Sequence, residues 1–176
     1  MKKQKGFSLI ELLIVVAIIL IIAAIAIPNL LRSKIAANES SAVGSVRTIG
    51  TAEVTYSSSW GTGYSVDLKS LGGASPCTNA AAGAACLIDP LLSITQVKSG
   101  YSFNAAGTLA DAAGILNGFE INATPTNYQT TGVRAFCDDQ IGVVKFVANG
   151  AAAIGVAAGS CAGVANAPPA SGPVGN

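Results

Sequence analysis

Four cysteines, Cys77, Cys86, Cys137 and Cys161, carry the most explicit chemistry in this 176-residue sequence. Histidine is absent, which removes the commonest metal ligand and the commonest general base together. No two cysteines have CxxC spacing, so zinc has no motif behind it and disulfides are the expected state. Four thiols allow three connectivities. Cys77 with Cys86 and Cys137 with Cys161 are expected, because each pair closes a loop within one region. Asp138 and Asp139, with Asp111 or Glu120 nearby, are candidate calcium ligands, but the spacing is not that of an EF-hand and a solvated turn is the expected reading. Asn38-Glu39-Ser40 and Asn122-Ala123-Thr124 fit the three-residue glycosylation pattern, which arises readily by chance, and no site is assigned there. Ser, Lys and carboxylate residues occur without a Gly-x-Ser-x-Gly, P-loop or dinucleotide fingerprint. Neither an enzyme nor a cofactor is expected.

Glu11 and Pro28 bracket a different kind of chemistry. Leu12 to Ile27 is sixteen consecutive apolar residues, about 24 Å of helix, and Phe7 to Leu31 covers about 37 Å, enough to cross a bilayer. Lys2, Lys3 and Lys5 precede it, which predicts a cytoplasmic N-terminus and places the remainder of the chain, with all four cysteines, in an oxidising compartment. Without those lysines, seven basic residues face nine acidic ones, so nucleic-acid binding gains no support from charge. An unpaired acid at the centre of a membrane helix costs about 2.5 to 3.5 kcal/mol. Glu11 lies near the start, where the cost is smaller; it either snorkels to the interface or meets a positive partner in an assembly. Pro28 lacks an N–H and clashes with the preceding turn, so a kink or loosening of the helix is expected there.

KGFSLIELLIVVAIILIIAAIAIPNLLRSK, Lys5 to Lys34, resembles the N-terminal motif of type IV pilins and of the pseudopilins of type II secretion. The resemblance implies a leader, residues 1–6, cleaved between Gly6 and Phe7 by a prepilin peptidase, and N-methylation of Phe7. Glu11 becomes the fifth residue of the mature chain, which in this family pairs with the terminal amine of a neighbouring subunit; two groups costly to bury singly are tolerable together. The implied function is a structural subunit of a bacterial type IV pilus. The implied partners are further copies of itself, the peptidase, an inner-membrane assembly platform and minor pilins. The implied location is the inner membrane as a single-pass precursor, then the extracellular pilus. A major pseudopilin in a periplasmic pseudopilus is the alternative within the family. Where many pilins have a glycine midway through the apolar block, this sequence has an unbroken aliphatic run around Leu20. Ala24-Ile25-Ala26 also fits a secretory signal cleavage site, which would release a soluble binding domain.

The elements that must position these residues follow. Residues 7–31 are expected as the membrane or filament-core helix. Residues 32–56 continue it amphipathically, with Leu31, Ile35, Ala42, Val46, Ile49, Ala52 and Tyr56 recurring at three, four or seven positions. Residues 57–165 are expected as a globular part, opening with an irregular Ser-, Gly- and Ala-rich loop over 57–85. Gly100 to Asn104, Gly118 to Thr124, Gly132 to Cys137 and Val143 to Ala148 read as strands, with a further short one turned at Asn149-Gly150 and ending near Val156. Residues 166–176 are expected as a mobile tail. The predicted fold is α+β and pilin-like, a long N-terminal helix packed on an antiparallel sheet of about four strands.

Overall fold

The computed structural model describes residues 7–73, 76–166 and 170–174. The chain divides into two compact units, Met1–Lys34 and Ile35–Asn176, and helix α1, Leu9–Trp60, contributes to both. Pro28 lies inside α1. It offers no N–H to the carbonyl of Ala24, yet the residues on both sides remain helical.

In the second unit α1 presents Ala42, Val46, Ile49, Ala52 and Tyr56, all buried, at the spacing that returns a helix to one face. These side chains form one core with Tyr101, Phe103, Phe119, Ile121 and Phe136. The sheet they cover is antiparallel throughout, in the order β1 (Val97–Lys98), β2 (Tyr101–Ala110), β3 (Leu116–Pro125), β4 (Ala135–Asp139), β5 (Lys145–Val147) and β6 (Ser171–Pro173). Gly50 lets α1 approach β4 closely, since a Cβ there would lie 3.0 Å from Asp138 Oδ2. A short helix α2, Leu68–Leu71, interrupts the loop after α1 and buries both of its leucines. Its cap is Asp67, whose Oδ1 accepts the Ser70 N–H at 2.9 Å.

Among the described residues six strands replace the four expected, and several of the differences have a physical cause. β2 runs on through Ala105 to Ala110, a segment half of alanine and with a glycine, both of weak strand propensity, because it pairs with β3, Ala105 opposite Ile121 and Gly107 opposite Phe119. Asp111 closes that hairpin by accepting the N–H groups of Ala113 and Ile115 at 2.8 and 2.9 Å, with Gly114 at φ +83°. β4 begins at Ala135 and not at Gly132; the N–H groups of Val133 and Arg134 are taken by Glu39 Oε1 on α1, each at 3.0 Å. No strand forms between Asn149 and Val156. The sixth strand is instead Ser171–Pro173, paired with β5, in the segment expected as a mobile tail. At the edge of the sheet a proline's missing N–H is tolerated.

Glu39 also binds the Arg134 guanidinium through Oε2, with Nε at 2.8 Å and a terminal nitrogen at 2.7 Å. The arginine is half-exposed and the acid buried, so the two partners are unequal. Removing the arginine leaves a carboxylate still bonded to two amides, whereas removing the acid strips those amides of their acceptor. Glu39→Ala is therefore expected to destabilise the fold by about 2–4 kcal/mol and Arg134→Ala by about 1 kcal/mol. Chemical denaturation of the two variants measures the order.

Candidate functional site

The start of α1 is where the sequence concentrates its implied chemistry. Gly6, the residue before the expected cleavage point, lies outside the described residues; Phe7 is described and 78% exposed. Ser8 and Glu11 make one arm of a capping box, the one supplied by the acid. The Ser8 carbonyl accepts the Leu12 N–H at 3.2 Å, and the Glu11 carboxylate reaches back to the Ser8 N–H, Oε2 at 2.9 Å. One orphan donor of the first turn is thereby satisfied, and a negative charge sits at the positive end of the helix dipole. The Ser-x-x-Glu spacing that signals such a cap is present in the sequence, whereas an acid before an apolar run points first to charge.

Beyond the cap, Leu12 to Leu31 carries no charged residue. Apart from half-buried Ala23, every residue from Phe7 to Lys34 is exposed, so aliphatic side chains cover all faces of this stretch and not a single stripe. A helix apolar all round is stable in lipid or among other helices, not in water. Leu9–Trp60 is long and apolar enough to cross a membrane.

The carboxylates weighed as calcium ligands are engaged elsewhere. Asp111 sits in the β2–β3 turn. Glu120 accepts the N–H groups of Gly159 and Cys161 at 2.7 and 2.9 Å. Asp139, opposite Glu120 in register, accepts the Ile141 N–H at 2.8 Å. Asp138 accepts the Asp139 N–H at 3.0 Å and borders a cleft of about 350 Å³ with Arg47, Gly50 and Phe119. Burial pushes its carboxyl up to about 6, against the pull of that backbone bond and of Arg47. Among the described residues, no three His, Cys, Asp or Glu are grouped to hold a metal ion. Of the two asparagines in glycosylation patterns, Asn122 is buried and bonds the Ile154 carbonyl, and Asn38 donates to the Thr131 carbonyl at 2.9 Å.

The cysteines are joined as Cys77–Cys86 and Cys137–Cys161, with Cα separations of 5.8 and 5.6 Å. The second bridge ties β4 to the turn around Cys161, within a small cluster that includes Ala135 and Ile154. Lys145 supports the same turn by donating to the carbonyls of Cys161 and Ala162 at 3.1 and 3.2 Å. Tyr56 and Trp60, one helical turn apart, stack with ring centres 5.0 Å apart.

Replacing Cys137 and Cys161 together by alanine is expected to cost about 3 kcal/mol from the loop-closure entropy of the unfolded chain alone. A denaturation midpoint that moves less than that of the Cys77/Cys86 double variant would contradict the clamping role.

Two comparisons bear on the N-terminal segment. Residues 1–27 match the prokaryotic N-terminal methylation motif. Among curated proteins, the type IV wide pilus major component PilA4 of Thermus thermophilus is 62% identical over 39 residues, which is 22% of this chain and 30% of that protein. The chain thus matches less than a third of that relative's length. No solved structure matches the chain. The apolar helix beginning at Leu9, its capping acid and the matched motif give the chain a prepilin-type N-terminus similar to that of the type IV pilin it matches.

Proposed function

We propose that this chain is a structural subunit of a bacterial type IV pilus, cleaved after Gly6, methylated at Phe7 and polymerised through the apolar part of α1. The observation that carries the reading is the stretch from Leu12 to Leu31, exposed apart from half-buried Ala23 and without a charge, immediately behind a methylation motif. Such a surface needs either lipid or copies of itself around it. Passage from membrane to filament exchanges one apolar environment for another, so burial alone supplies little net drive, and packing with polar pairing must set register and direction. Glu11, immediately before the apolar stretch, is the one acid available for that pairing, and the terminal amine of a neighbouring Phe7 is its proposed partner. The precursor would sit in the inner membrane with its lysine-rich end in the cytoplasm. Prepilin peptidase, an assembly platform and minor pilins are the proposed partners. The relative's name, the major component of a wide pilus, favours a pilus over a pseudopilus, and a structural role over a catalytic one.

Intact mass and N-terminal peptide mapping of the protein from its host should give a methylated Phe7 terminus. An Ile27 terminus would mean a secreted soluble domain, and an intact Met1 an ordinary anchor; either would end the proposal. Glu11→Ala is expected to leave cleavage intact and reduce filament yield severely, read by electron microscopy and by the sheared pilus fraction. A deletion strain that keeps its surface filaments but loses export of an enzyme would assign the chain to a pseudopilus instead.

A further inference from the structure

Glu53 on α1 and Ser65 are both fully buried. Among the described residues the carboxyl group of Glu53 meets a single hydrogen-bond partner: the Ser65 N–H donates to Oε2 at 2.9 Å, and Ser65 Oγ lies 2.7 Å from Oε1. No lysine or arginine forms an ion pair with it among the described residues. The charged group that acts on it is the like-charged Asp67, whose carboxylate is turned to cap α2. Ser65 Oγ lies in addition 3.1 Å from the Asp67 carbonyl. One hydroxyl proton therefore stands between two acceptors.

If Glu53 is ionised, that proton is drawn to Oε1 and the Asp67 carbonyl loses the bond. With a proton on Glu53, the acid donates to Ser65 Oγ and the Ser65 hydroxyl donates to the Asp67 carbonyl, so both contacts are hydrogen bonds at once. The neutral acid also avoids a buried, uncompensated charge.

What this contact holds is the segment from Gly61 to Asp67. The Tyr64 N–H donates to the Leu116 carbonyl at 2.9 Å and the Val66 carbonyl accepts the Gly107 N–H at 3.3 Å. Asp67 bridges Ala106, and Gly63 bridges Leu116. The Tyr64 ring stands edge-on to Phe119 with centres 5.0 Å apart. β1 pairs only with Tyr101 and Ser102 at the start of β2, so this segment covers the β2 edge near Ala106 and Gly107. Uncovered, that edge would present free N–H and carbonyl groups to another strand.

We infer that Glu53 is a proton-operated latch: as a neutral acid it holds Gly61–Asp67 closed over the β2 edge, and loss of its proton loosens the segment. Burial, the largest influence on this carboxyl, raises it from an ordinary 4.5 to about 7, against the lowering effect of the Ser65 bonds. A raised acid binds its proton more tightly folded than unfolded, so the stabilisation is fully present below about 4.5 and is lost as pH rises through about 7. The latch would thus work across neutral pH. Asp138, faced by Asp139, Arg47 and Glu120, titrates somewhat lower, at about 6, and has to be separated from it.

The full chain in detergent micelles allows that separation. Its four glutamates are Glu11, Glu39, Glu53 and Glu120, so selective carboxyl-13C labelling of glutamate excludes Asp138. One glutamate carboxyl titrating near pH 7 is expected, and all four titrating below pH 5 would overturn the inference. Trp60, the single tryptophan, adjoins the segment and should report a fluorescence transition near pH 7 that persists in Asp138→Asn and is absent in Glu53→Gln. The same transition in Glu53→Gln, or none in the wild type, also overturns it. Amide exchange supplies the structural readout: corrected for intrinsic rate, protection at Gly107 and Tyr64 should fall roughly tenfold between pH 6 and 8 in the wild type. Unchanged protection there would show that the segment does not open.

Discussion

A side-chain carboxyl accepting a backbone N–H is the interaction on which this structure depends most often. All nine acids make it. Glu11 binds the amide of Ser8, Glu39 those of Val133 and Arg134, Glu53 that of Ser65, Asp67 that of Ser70 and Asp89 that of Leu91. Asp111 binds Ala113 and Ile115, Glu120 binds Gly159 and Cys161, Asp138 binds Asp139, and Asp139 binds Ile141. Where the acid is ionised such bonds are charge-assisted and stronger than neutral ones, and here they fall mostly on turns and segments that no helix or sheet ladder satisfies. Only two ion pairs, Lys98–Asp89 and Arg134–Glu39, occur among the described residues. In a chain with 11% charged residues, the acids are spent on backbone geometry before they are spent on cations. Glu53 is the extreme case, because its amide bond comes with complete burial.

Helix α1 shows why such anchors are needed. A helix closes its own hydrogen bonds, so its interior residues tolerate either lipid or protein around them. That leaves surface composition to decide the environment: apolar on all sides through Leu31, then one buried face from Ala42 to Tyr56. The hydroxyls of Thr48, Thr51, Thr55 and Ser58 turn back to carbonyls three or four residues earlier, so even the polar residues of the exposed face satisfy themselves locally. Connecting segments have no such self-sufficiency. The described residues of the long stretch from Gly61 to Gln96 and of the one from Ala148 to Ala170 contain little regular structure, and they are held by a disulfide each and by Glu53, Asp67 and Glu120.

The parts of the fold legible in the sequence are those carried by pattern. The apolar run, the helical spacing of Val46, Ile49 and Tyr56, and the aromatic strands around Phe103, Phe119 and Phe136 are all periodic signals, and they gave the α+β architecture. Strand ends were illegible where a distant side chain decides them. Nothing local to Val133 and Arg134 reveals that Glu39, more than ninety positions earlier, takes their amides. Likewise Ser171-Gly172-Pro173 has the composition of a tail and becomes a strand only because β5 offers it an edge. Of the candidate site, the apolar helix and its acid were plain, whereas the use of Glu11 as a cap was missed. Ser8-x-x-Glu11 is a legible motif, but an acid before an apolar run invites an argument about charge before one about helix ends.

That cap bears on how Glu11 would serve in an assembly. An ionised carboxylate has about four lone-pair sites, and Ser8 occupies one, on Oε2. Pairing with an amine from a second copy therefore need not break that bond; Oε1 remains for it. The cap instead holds the side chain against the first turn of α1, removing rotamer freedom that an incoming amine would otherwise have to order. On the proposed function the same carboxylate would have two duties with one geometry, closing the end of its own helix and offering a pre-ordered anchor to the next. A glutamine at this position would keep an acceptor for the Ser8 amide and lose the charge for the amine, so cap and pairing are separable by chemistry although they share a residue.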